Sequence, residues 1–423
     1  MDLQLAKGTR DFAPEEKILR MHVESALQAS FEEFGFNPLE TPVLERWETL
    51  SSKYAGGAEI LKESFRLKDQ GDRELGLRYD LTVPFSRFVG MNPELKMPFK
   101  RYQMGPVFRD GPIKLGRYRE FWQCDVDVVG VKSVLADAEL LAVAQTVFRK
   151  LELPVTLKVN HRKLLNGVLA ACGVREKLTE TILCLDKLEK VGPADVKKEL
   201  AALGVSGSDA LLPALSRESS NEKTLAKLRA LMRDDEGGQG LAEVEELLRF
   251  CSLLGVEVQL EPSLARGLAY YTGPVFEAFL RDSQITSSVA GGGRYDGMIG
   301  QFLGRGEHPA TGISFGLEVI TDALRLSGRK FPKSVVQVYV IPIKAQDEAL
   351  AILAQLRAKG IRADIEQLSR GISKSLEYAA AMGIPYVLLI GQKELKEGKV
   401  RLRDMRSGEE KLLTADEAAA ALS

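Results

Sequence analysis

The sequence predicts an α+β protein that combines an antiparallel sheet and flanking helices with a helical insertion and a smaller α/β domain. Short apolar or alternating segments between residues 64 and 129 indicate strands, because turn sequences separate them. A helical period replaces this pattern from about 163 to 250, and strand and helix patterns alternate after Val335. The 423 residues exceed what a single core usually holds. We therefore expect domains at residues 1–330 and 331–423.

The first predicted element is a helix that begins near Pro14 and ends at Gly35. Proline suits the first helical position, acidic residues follow in the first turn, and apolar residues recur at helical spacing. The segment FNPLETPVL after it is extended. Strand patterns around 64–67, 75–79, 101–109 and 119–129 then predict an antiparallel sheet.

The helical insertion is predicted from the segments AACGVREKLTETILCLDKLEK and LAEVEELLRFCSLLG, which both have a helical period. A polar connection lies between them. Strand patterns return at VEVQLEP, AYYTGPVFEAFL and ITSSVAGGG. The first domain is therefore expected to be discontinuous in sequence.

The C-terminal segment alternates the strand patterns VVQVYVIPI, IRADIEQ and PYVLLIG with two helical ones. A charged hairpin that turns near Ser407 and Gly408 and a helix from Thr414 are expected at the end. GISKS, at residues 371–375, lies on an amphipathic helix pattern, so it does not indicate a nucleotide loop.

Composition excludes several classes of site. The four cysteines lie far apart without a C-x-x-C pair, and only three histidines are present. Neither a disulfide framework nor a metal site made of protein side chains is predicted. No apolar run of membrane-spanning length and no signal pattern occurs at the N-terminus, so we expect a cytoplasmic protein without a membrane partner. Arginines, carboxylates and tyrosines must supply the chemistry.

The most informative stretch is FRDGPIKLGRYREFWQCDVDVVG, at residues 108–130. The net charge is −1, yet seven basic residues lie between Lys96 and Glu120. Arg109 could bind a carboxylate and a phosphate together, and Lys114 and Arg117 suit a loop that touches phosphates or an RNA end. A solvated charged hairpin is the alternative. Neither a P-loop nor a G-x-G-x-x-G motif occurs.

This stretch resembles motif 2 of the class II aminoacyl-tRNA synthetases in the form found in histidyl-tRNA synthetases. The segments ARGLAYYTGPVFEA and AGGGRYDGMIG resemble the histidine-specific signatures of the same family, and FGFNPLETPVLE resembles its motif 1. The resemblance extends over the whole chain. It implies a class II sheet, a C-terminal anticodon-binding domain, and ATP-dependent attachment of histidine to tRNA(His).

The resemblance also implies roles for individual residues. Asp80 and Thr82 would hold the ammonium group of histidine, and Gln123 with Arg109 would lie near its carboxylate and the α-phosphate. Asp127 and Tyr271 would hydrogen-bond the imidazole, with Tyr270 packed beside them. Individually, the tyrosines could equally be core residues and Asp127 a structural ion-pair partner.

Arg266 is also implied as a histidine-binding residue and would stabilise charge at the α-phosphate, which makes Arg109 and Arg266 the expected catalytic residues. ATP, accompanied by Mg²⁺, would contact Arg109, Arg117, Arg294 and the glycines Gly291, Gly292 and Gly293, where backbone without Cβ allows close approach. A turn or sheet bend is the alternative for the glycines.

Two positions depart from the family pattern. Ala269 stands where the family has an aspartate, and Val319 stands where it has the motif 3 arginine that contacts ATP. An alternative function is therefore that of the synthetase-like regulatory subunit of ATP phosphoribosyltransferase, a binding module. The complete set of substrate residues and the C-terminal domain favour the ligase. The histidine-type signatures disfavour a synthetase for another amino acid. Motif 1 implies a homodimer.

The final hairpin contains a basic cluster. Strand alternation along VRLRDMR places Arg401 and Arg403 on one face, which could follow RNA phosphates. With Lys114 and Arg117 these are the expected tRNA-binding residues. An edge strand charged against aggregation is the alternative.

Overall fold

The computed structural model describes residues 3–52, 58–113, 118–205, 207–267, 270–304, 306 and 308–422. The chain divides into two compact units. The first comprises residues 1–10 and 23–327, and the second comprises residues 11–22 and 328–423.

Within its described residues, the first unit contains eleven strands. They are β1 (Asn37–Pro38), β2 (Leu44–Arg46), β3 (Arg66–Lys68), β4 (Glu74–Leu77), β5 (Phe99–Phe108), β6 (Glu120–Val129), β7 (Val155–His161), β8 (Val258–Leu260), β9 (Pro274–Leu280), β10 (Ala290–Arg294) and β11 (Ala310–Gly316).

Helices accompany these strands, and the first of them, α1, contributes residues to both units. They are α1 (Pro14–Glu33), α2 (Trp47–Leu50), α3 (Ala58–Lys62), α4 (Thr82–Met91), α5 (Leu135–Lys150), α6 (Arg162–Ala171), α7 (Leu178–Leu185), α8 (Leu188–Val191), α9 (Pro193–Ala202), α10 (Ser208–Leu215), α11 (Asn221–Leu231), α12 (Asp235–Leu253), α13 (Asp296–Leu303) and α14 (Leu317–Leu326).

The main sheet has the strand order β1-β5-β6-β11-β10-β9-β7-β8. Its six central strands pair antiparallel, as the sequence predicts, whereas β1 and β8 add parallel edges. The predicted strands around 64–67 and 75–79 do not join this sheet, because β3 and β4 pair with each other and with β2 in a separate three-stranded sheet. They are only three or four residues long, and the hairpin between β3 and β4 is closed locally, since Asp69 Oδ1 accepts hydrogen bonds from the backbone of Gly71 and Arg73.

Helix α1 ends as the sequence predicts. Gly35 has φ 74°, and its N–H donates to Glu32, while the N–H of Phe36 donates to Phe31. Glycine adopts this left-handed conformation without a Cβ clash and so closes the helix. The chain can then turn into β1 beside the long strand β5.

The helical insertion extends from α6 to α12 and has an apolar core of its own. His161 precedes α6, and its Nδ1 accepts from the N–H of Lys163, so the imidazole caps that helix. The Nε2 of His161 lies 2.8 Å from Glu243 on α12. The insertion is therefore fastened to the end of β7 in the main sheet.

The second unit is a five-stranded sheet with the order β13-β12-β14-β15-β16, parallel over its first three strands and antiparallel over the rest. This is the predicted α/β domain with its terminal hairpin. Its further elements are β12 (Val338–Ile343), α15 (Gln346–Ala358), β13 (Ala363–Ile365), α16 (Ile372–Ala381), β14 (Tyr386–Gly391), α17 (Gln392–Leu395), β15 (Val400–Asp404), β16 (Glu410–Leu413) and α18 (Ala415–Leu422).

Within the described ranges, none of the helices is both long and apolar enough to cross a membrane. Three of the four cysteines are buried and all four are free thiols, as expected for core residues.

Candidate functional site

A cavity of about 340 Å³ opens on one face of the main sheet. All eight side chains that the resemblance assigns to histidine binding line it, and so do Gly291, Gly292 and Gly293. They come from segments as far apart as residue 80 and residue 293. The fold therefore brings together residues that the sequence presents separately.

Strand β6 forms the floor of the cavity. Its alternate residues Phe121, Gln123, Asp125 and Asp127 line the cavity, as the two-residue period of a strand requires. Side chains between them, such as Cys124, are buried on the opposite face. One strand thus supplies an aromatic ring, an amide and two carboxyl groups in a row.

Asp127 is 3% exposed and lies between two partners. Its Oδ1 accepts from the hydroxyl of Tyr295 at 2.5 Å, and Nη2 of Arg101 lies 2.7 Å from Oδ2. The latter contact is an ion pair by distance, although its angles are not those of a hydrogen bond. Burial raises the pKa of Asp127, and the positive charge of Arg101 opposes this. The buried cation therefore compensates this carboxylate.

Asp80 and Thr82 lie where the chain enters α4. The Oδ1 of Asp80 accepts from the N–H of Val83 at 3.0 Å, which fixes the carboxyl group against the first turn of the helix. Burial raises the pKa of Asp80 to about 6, and the charges of Arg109 and Arg101 act in the opposite direction. A cationic ligand would stabilise its ionised form.

Arg109 follows the end of β5 and reaches the cavity beside Asp80. Its Nε donates to the carbonyl of Tyr79 at 3.0 Å, and its guanidinium carbon lies 5.1 Å from the centre of the Phe121 ring. These contacts orient a planar donor group over the aromatic end of β6. Such a group suits a carboxylate or phosphate.

Arg266 also lines the cavity and is held by Glu277 of β9. Its Nη1 lies 2.6 Å from Oε1 of Glu277, which also accepts from Ser288 at 3.3 Å. The backbone carbonyl of Arg266 accepts from Arg162, the first residue of α6, at 3.1 Å. Side chain and backbone are both fixed, so Arg266 is oriented before a ligand binds.

Three tyrosine rings close one end of the cavity. The ring centres of Tyr270 and Tyr271 lie 4.7 Å apart, and Tyr295 meets Tyr270 edge-on at 6.2 Å. Tyr271 is only 6% exposed, and the guanidinium carbon of Arg266 lies 5.5 Å from its ring centre. The phenol groups give this apolar end a few polar atoms that could contact a small ring.

Three glycines leave room for these side chains. A Cβ on Gly291 would lie 2.1 Å from Nη1 of Arg266, and one on Gly293 would lie 2.9 Å from the Tyr271 ring. A Cβ on Gly312 of β11 would lie 1.9 Å from Oδ1 of Asp127, which it faces in register. These three glycines therefore leave the space that the side chains of the site itself occupy.

Comparison with known proteins identifies the family. The family model for histidyl-tRNA synthetase matches residues 8–320, and the model for the anticodon binding domain matches residues 337–423. The chain belongs to the histidyl-tRNA synthetase family. It is 46% identical over 415 residues to histidine--tRNA ligase 1 of Bacillus cereus, covering 97% of each protein. It is 39% identical to the histidine--tRNA ligase of Bacteroides fragilis, covering 99% of this chain and 98% of that protein.

Solved structures give the same result for the fold. The crystal structure of histidyl-tRNA synthetase from Nostoc sp. PCC 7120 has a TM-score of 0.89 at 30% identity, covering 100% of this chain and 99% of that one. A protein from Bacillus halodurans described as ATP phosphoribosyltransferase regulatory subunit/histidyl-tRNA synthetase has a TM-score of 0.76 at 22% identity. That likeness covers 92% of this chain and 99% of the other and concerns the fold alone.

Arg294 does not reach the cavity, although the resemblance to the family suggests it for ATP binding. It is 3% exposed, and its guanidinium donates to the carbonyls of Val131 and Ser133 and pairs with Asp137 at 2.5 Å. This network joins β10 to the start of α5. Among the described residues that line the cavity, the cations are Arg109 and Arg266.

Val319 lies in the first turn of α14, directly after the cavity-lining end of β11. Its Cγ1 would meet a Cβ on Gly316 at 2.9 Å, so position 319 borders the cavity. An aliphatic side chain thus stands beside the site where the family pattern has an arginine. Lys114, Arg117 and Ala269 lie outside the described residues.

Arg401 and Arg403 lie on one face of β15, as strand alternation predicts. Both pair with Glu410 on β16 at 3.1 Å, and Arg401 also pairs with Glu394 at 2.6 Å. They are 39% and 34% exposed, so the guanidinium groups are partly available to a ligand.

Several residues of the site were not predicted from the sequence. Asp125 could have been found, because its spacing of two residues from both Gln123 and Asp127 places it on the same strand face. Arg101 could not, since its contact with Asp127 depends on strand pairing that the sequence does not specify, and Glu277 could not, since its contact with Arg266 depends on where the chain before β9 runs.

Proposed function

We propose that this chain activates L-histidine with ATP to form histidyl-adenylate and then transfers the histidyl group to tRNA(His). One observation carries the proposal. A single cavity holds carboxyl groups on its floor that suit the N–H donors of histidine, and two oriented arginines that suit its carboxylate and a phosphate. Membership of the histidyl-tRNA synthetase family supports the same reaction.

The first step joins a carboxylate oxygen of histidine to the α-phosphorus of ATP. The bond from that phosphorus to the bridging oxygen breaks, and pyrophosphate leaves. Arg109 would draw the carboxylate and the α-phosphate together, and Arg266 would stabilise the charge that develops on the phosphoryl oxygens. Glu277 keeps Arg266 in place, so little reorganisation is needed when the charge develops.

Selection of histidine would depend on the floor and the tyrosine end of the cavity. Asp127, oriented by Arg101 and Tyr295, would accept an imidazole N–H, and Tyr271 would contact the other ring nitrogen. Asp80 and Thr82 would hold the ammonium group, with Gln123 nearby. Tyr270 would pack against the substrate ring.

ATP is accompanied by Mg²⁺ in this proposal. Within the described residues no group of three or more His, Cys, Asp or Glu side chains could hold a metal. Mg²⁺ needs no such group, because it is commonly held by substrate phosphates, water and at most one or two carboxylates. The ion supplies shielding of the β- and γ-phosphates. The backbone at Gly291, Gly292 and Gly293 and the loop with Arg117 would contact ATP itself.

Transfer would follow when a terminal ribose hydroxyl of tRNA(His) attacks the carbonyl carbon of the adenylate and AMP leaves. Lys114 and Arg117 would approach the acceptor end, and Arg401 with Arg403 would contact the anticodon arm. Residues 1–330 would form the catalytic domain and residues 331–423 the anticodon-binding domain. A ligase of this kind would act where tRNA is used, in the cytoplasm.

Histidine-dependent exchange of pyrophosphate into ATP tests the activation step. Arg266→Ala should slow exchange by roughly 10²- to 10³-fold with a smaller change in histidine binding. Arg281→Ala, which removes an exposed arginine that bonds Thr156, is the matched control and should exchange normally. If the unaltered protein showed no exchange with any amino acid, the ligase proposal would fail.

The alternative function, that of a regulatory subunit of ATP phosphoribosyltransferase, rests on Val319. Among the described residues that line the cavity the cations are Arg109 and Arg266, and position 319 beside it carries an aliphatic side chain. The alternative predicts histidine binding without pyrophosphate exchange. The same assay therefore separates the two functions.

The homodimer is also a proposal, based on the motif 1 segment of α1 and the extended chain after it. The particle mass in solution should be about twice 46.5 kDa. A monomer at micromolar concentration would contradict it.

A further inference from the structure

Asp125 is a buried carboxyl group to which the proposed reaction has so far given no individual role. It is 3% exposed, lies on the floor of the cavity between Gln123 and Asp127, and faces Ser314 across the pairing of β6 with β11. Its Oδ1 accepts no hydrogen bond from the described residues, and neither does Oε1 of Gln123. Buried acceptors of this kind normally have a donor, so two adjacent acceptors indicate a ligand rich in N–H groups.

The charges around the floor indicate what the ligand must carry. Three carboxyl groups, those of Asp80, Asp125 and Asp127, interact electrostatically there. Arg101 pairs directly with Asp127 and is fully buried, so it compensates that group first. The remaining carboxyl groups, at Asp80 and Asp125, have no such direct ion pair among the described contacts of the cavity.

The protonation of Asp125 agrees with this shortage of positive charge. Burial raises its pKa to about 7, and the charges of Asp127 and Asp80 act in the same direction, whereas Arg101 and the Ser314 hydroxyl oppose them. A neutral N–H donor would leave an ionised Asp125 uncompensated, which is costly in a buried site. A ligand with a full positive charge would stabilise the ionised form.

We propose that Asp125 binds the α-ammonium group of the amino-acid substrate, which it shares with Asp80 and the side-chain oxygen of Gln123. The imidazole N–H is left to Asp127, whose charge Arg101 already compensates. The inference deepens the proposed function and rests on it. Asp125 is therefore a residue that selects an amino acid with a free ammonium group over an analogue without one.

The test measures two ligands by calorimetry on the full-length protein. Histidine carries the ammonium group, and imidazolepropionic acid lacks only that group. Asp125→Asn should weaken histidine binding by roughly ten- to hundredfold, the usual range for a hydrogen bond to a charged group, and should leave imidazolepropionic acid within a few fold. The ratio of the two dissociation constants is the readout, because general damage to the cavity would weaken both ligands.

Asp137→Asn is the matched control. Asp137 is another fully buried aspartate of the same unit, but it pairs with Arg294 and Thr311 outside the cavity. This variant should lower the melting temperature without changing the ratio. Equal weakening of both ligands by Asp125→Asn, or no weakening of either, would overturn the proposal.

Two further outcomes keep the inference separate from the proposed function. If the unaltered protein did not bind histidine, the proposed function itself would fail. If Asp125→Asn did not fold, a crystal structure of the unaltered protein with histidine would decide. The α-ammonium nitrogen of histidine within about 3.2 Å of Oδ1 of Asp125 would support the inference, and a water or an imidazole nitrogen at that position would refute it.

Discussion

Gly291 allows the most direct test of how the cavity positions Arg266. A Cβ at this residue would lie 2.1 Å from Nη1 of Arg266, whereas ordinary van der Waals contact begins at 3.4 Å. The guanidinium group must therefore move by about 1.3 Å in Gly291→Ala, which would separate it from Glu277, its partner at 2.6 Å. Because a misplacement of about 1 Å can cost 10²-fold in rate, we expect pyrophosphate exchange to slow about a hundredfold.

Two comparisons make this result specific. Gly238→Ala inserts the same methyl group into α12, where nothing lies within 4 Å, and should leave exchange unchanged. In a protein that already carries Arg266→Ala, adding Gly291→Ala should cost little more, because the displaced side chain is absent. An equal hundredfold loss in that background, or normal exchange in Gly291→Ala alone, would refute the reasoning.

The remaining predictions concern specificity and tRNA. Asp127→Asn and Tyr271→Phe should each weaken histidine relative to other amino acids, since each removes a polar partner of the imidazole, and unchanged histidine affinity in both would place the specificity pocket elsewhere. Glu410→Gln should remove the acidic partner of Arg403 and one of the two acidic partners of Arg401, and should therefore strengthen tRNA binding at low salt, whereas Arg401→Ala with Arg403→Ala should weaken it and flatten its salt dependence. Filter-binding titrations at several salt concentrations measure both, and identical slopes would exclude this face from tRNA contact.

The sequence predicts those elements whose signals are local. The stop of α1 at Gly35 and the cap of α18 are examples. Thr414 accepts from the N–H of Glu417, and the carboxylate of Glu417 accepts from the N–H of Thr414, which is a reciprocal cap between residues three apart. The eight side chains assigned to histidine, by contrast, were predicted only through family resemblance.

Contacts between distant segments could not be predicted in this way. Arg294 and Asp137 are 157 residues apart, and only the folded sheet shows that they pair and that the arginine points away from the cavity. The separate three-stranded sheet is a similar case, because short strands carry too little pattern to indicate which partners they choose. Strand pairing is specified by the whole chain.

The glycines of the cavity have a consequence for how sequences in this family can diverge. Gly312 occupies the position opposite Asp127, and the space of its missing side chain is filled by that carboxylate. A larger residue at 312 would be tolerated only with a shorter one at 127. Positions 127 and 312 should therefore vary together across an alignment, and a homologue that changes only one of them should have changed its substrate.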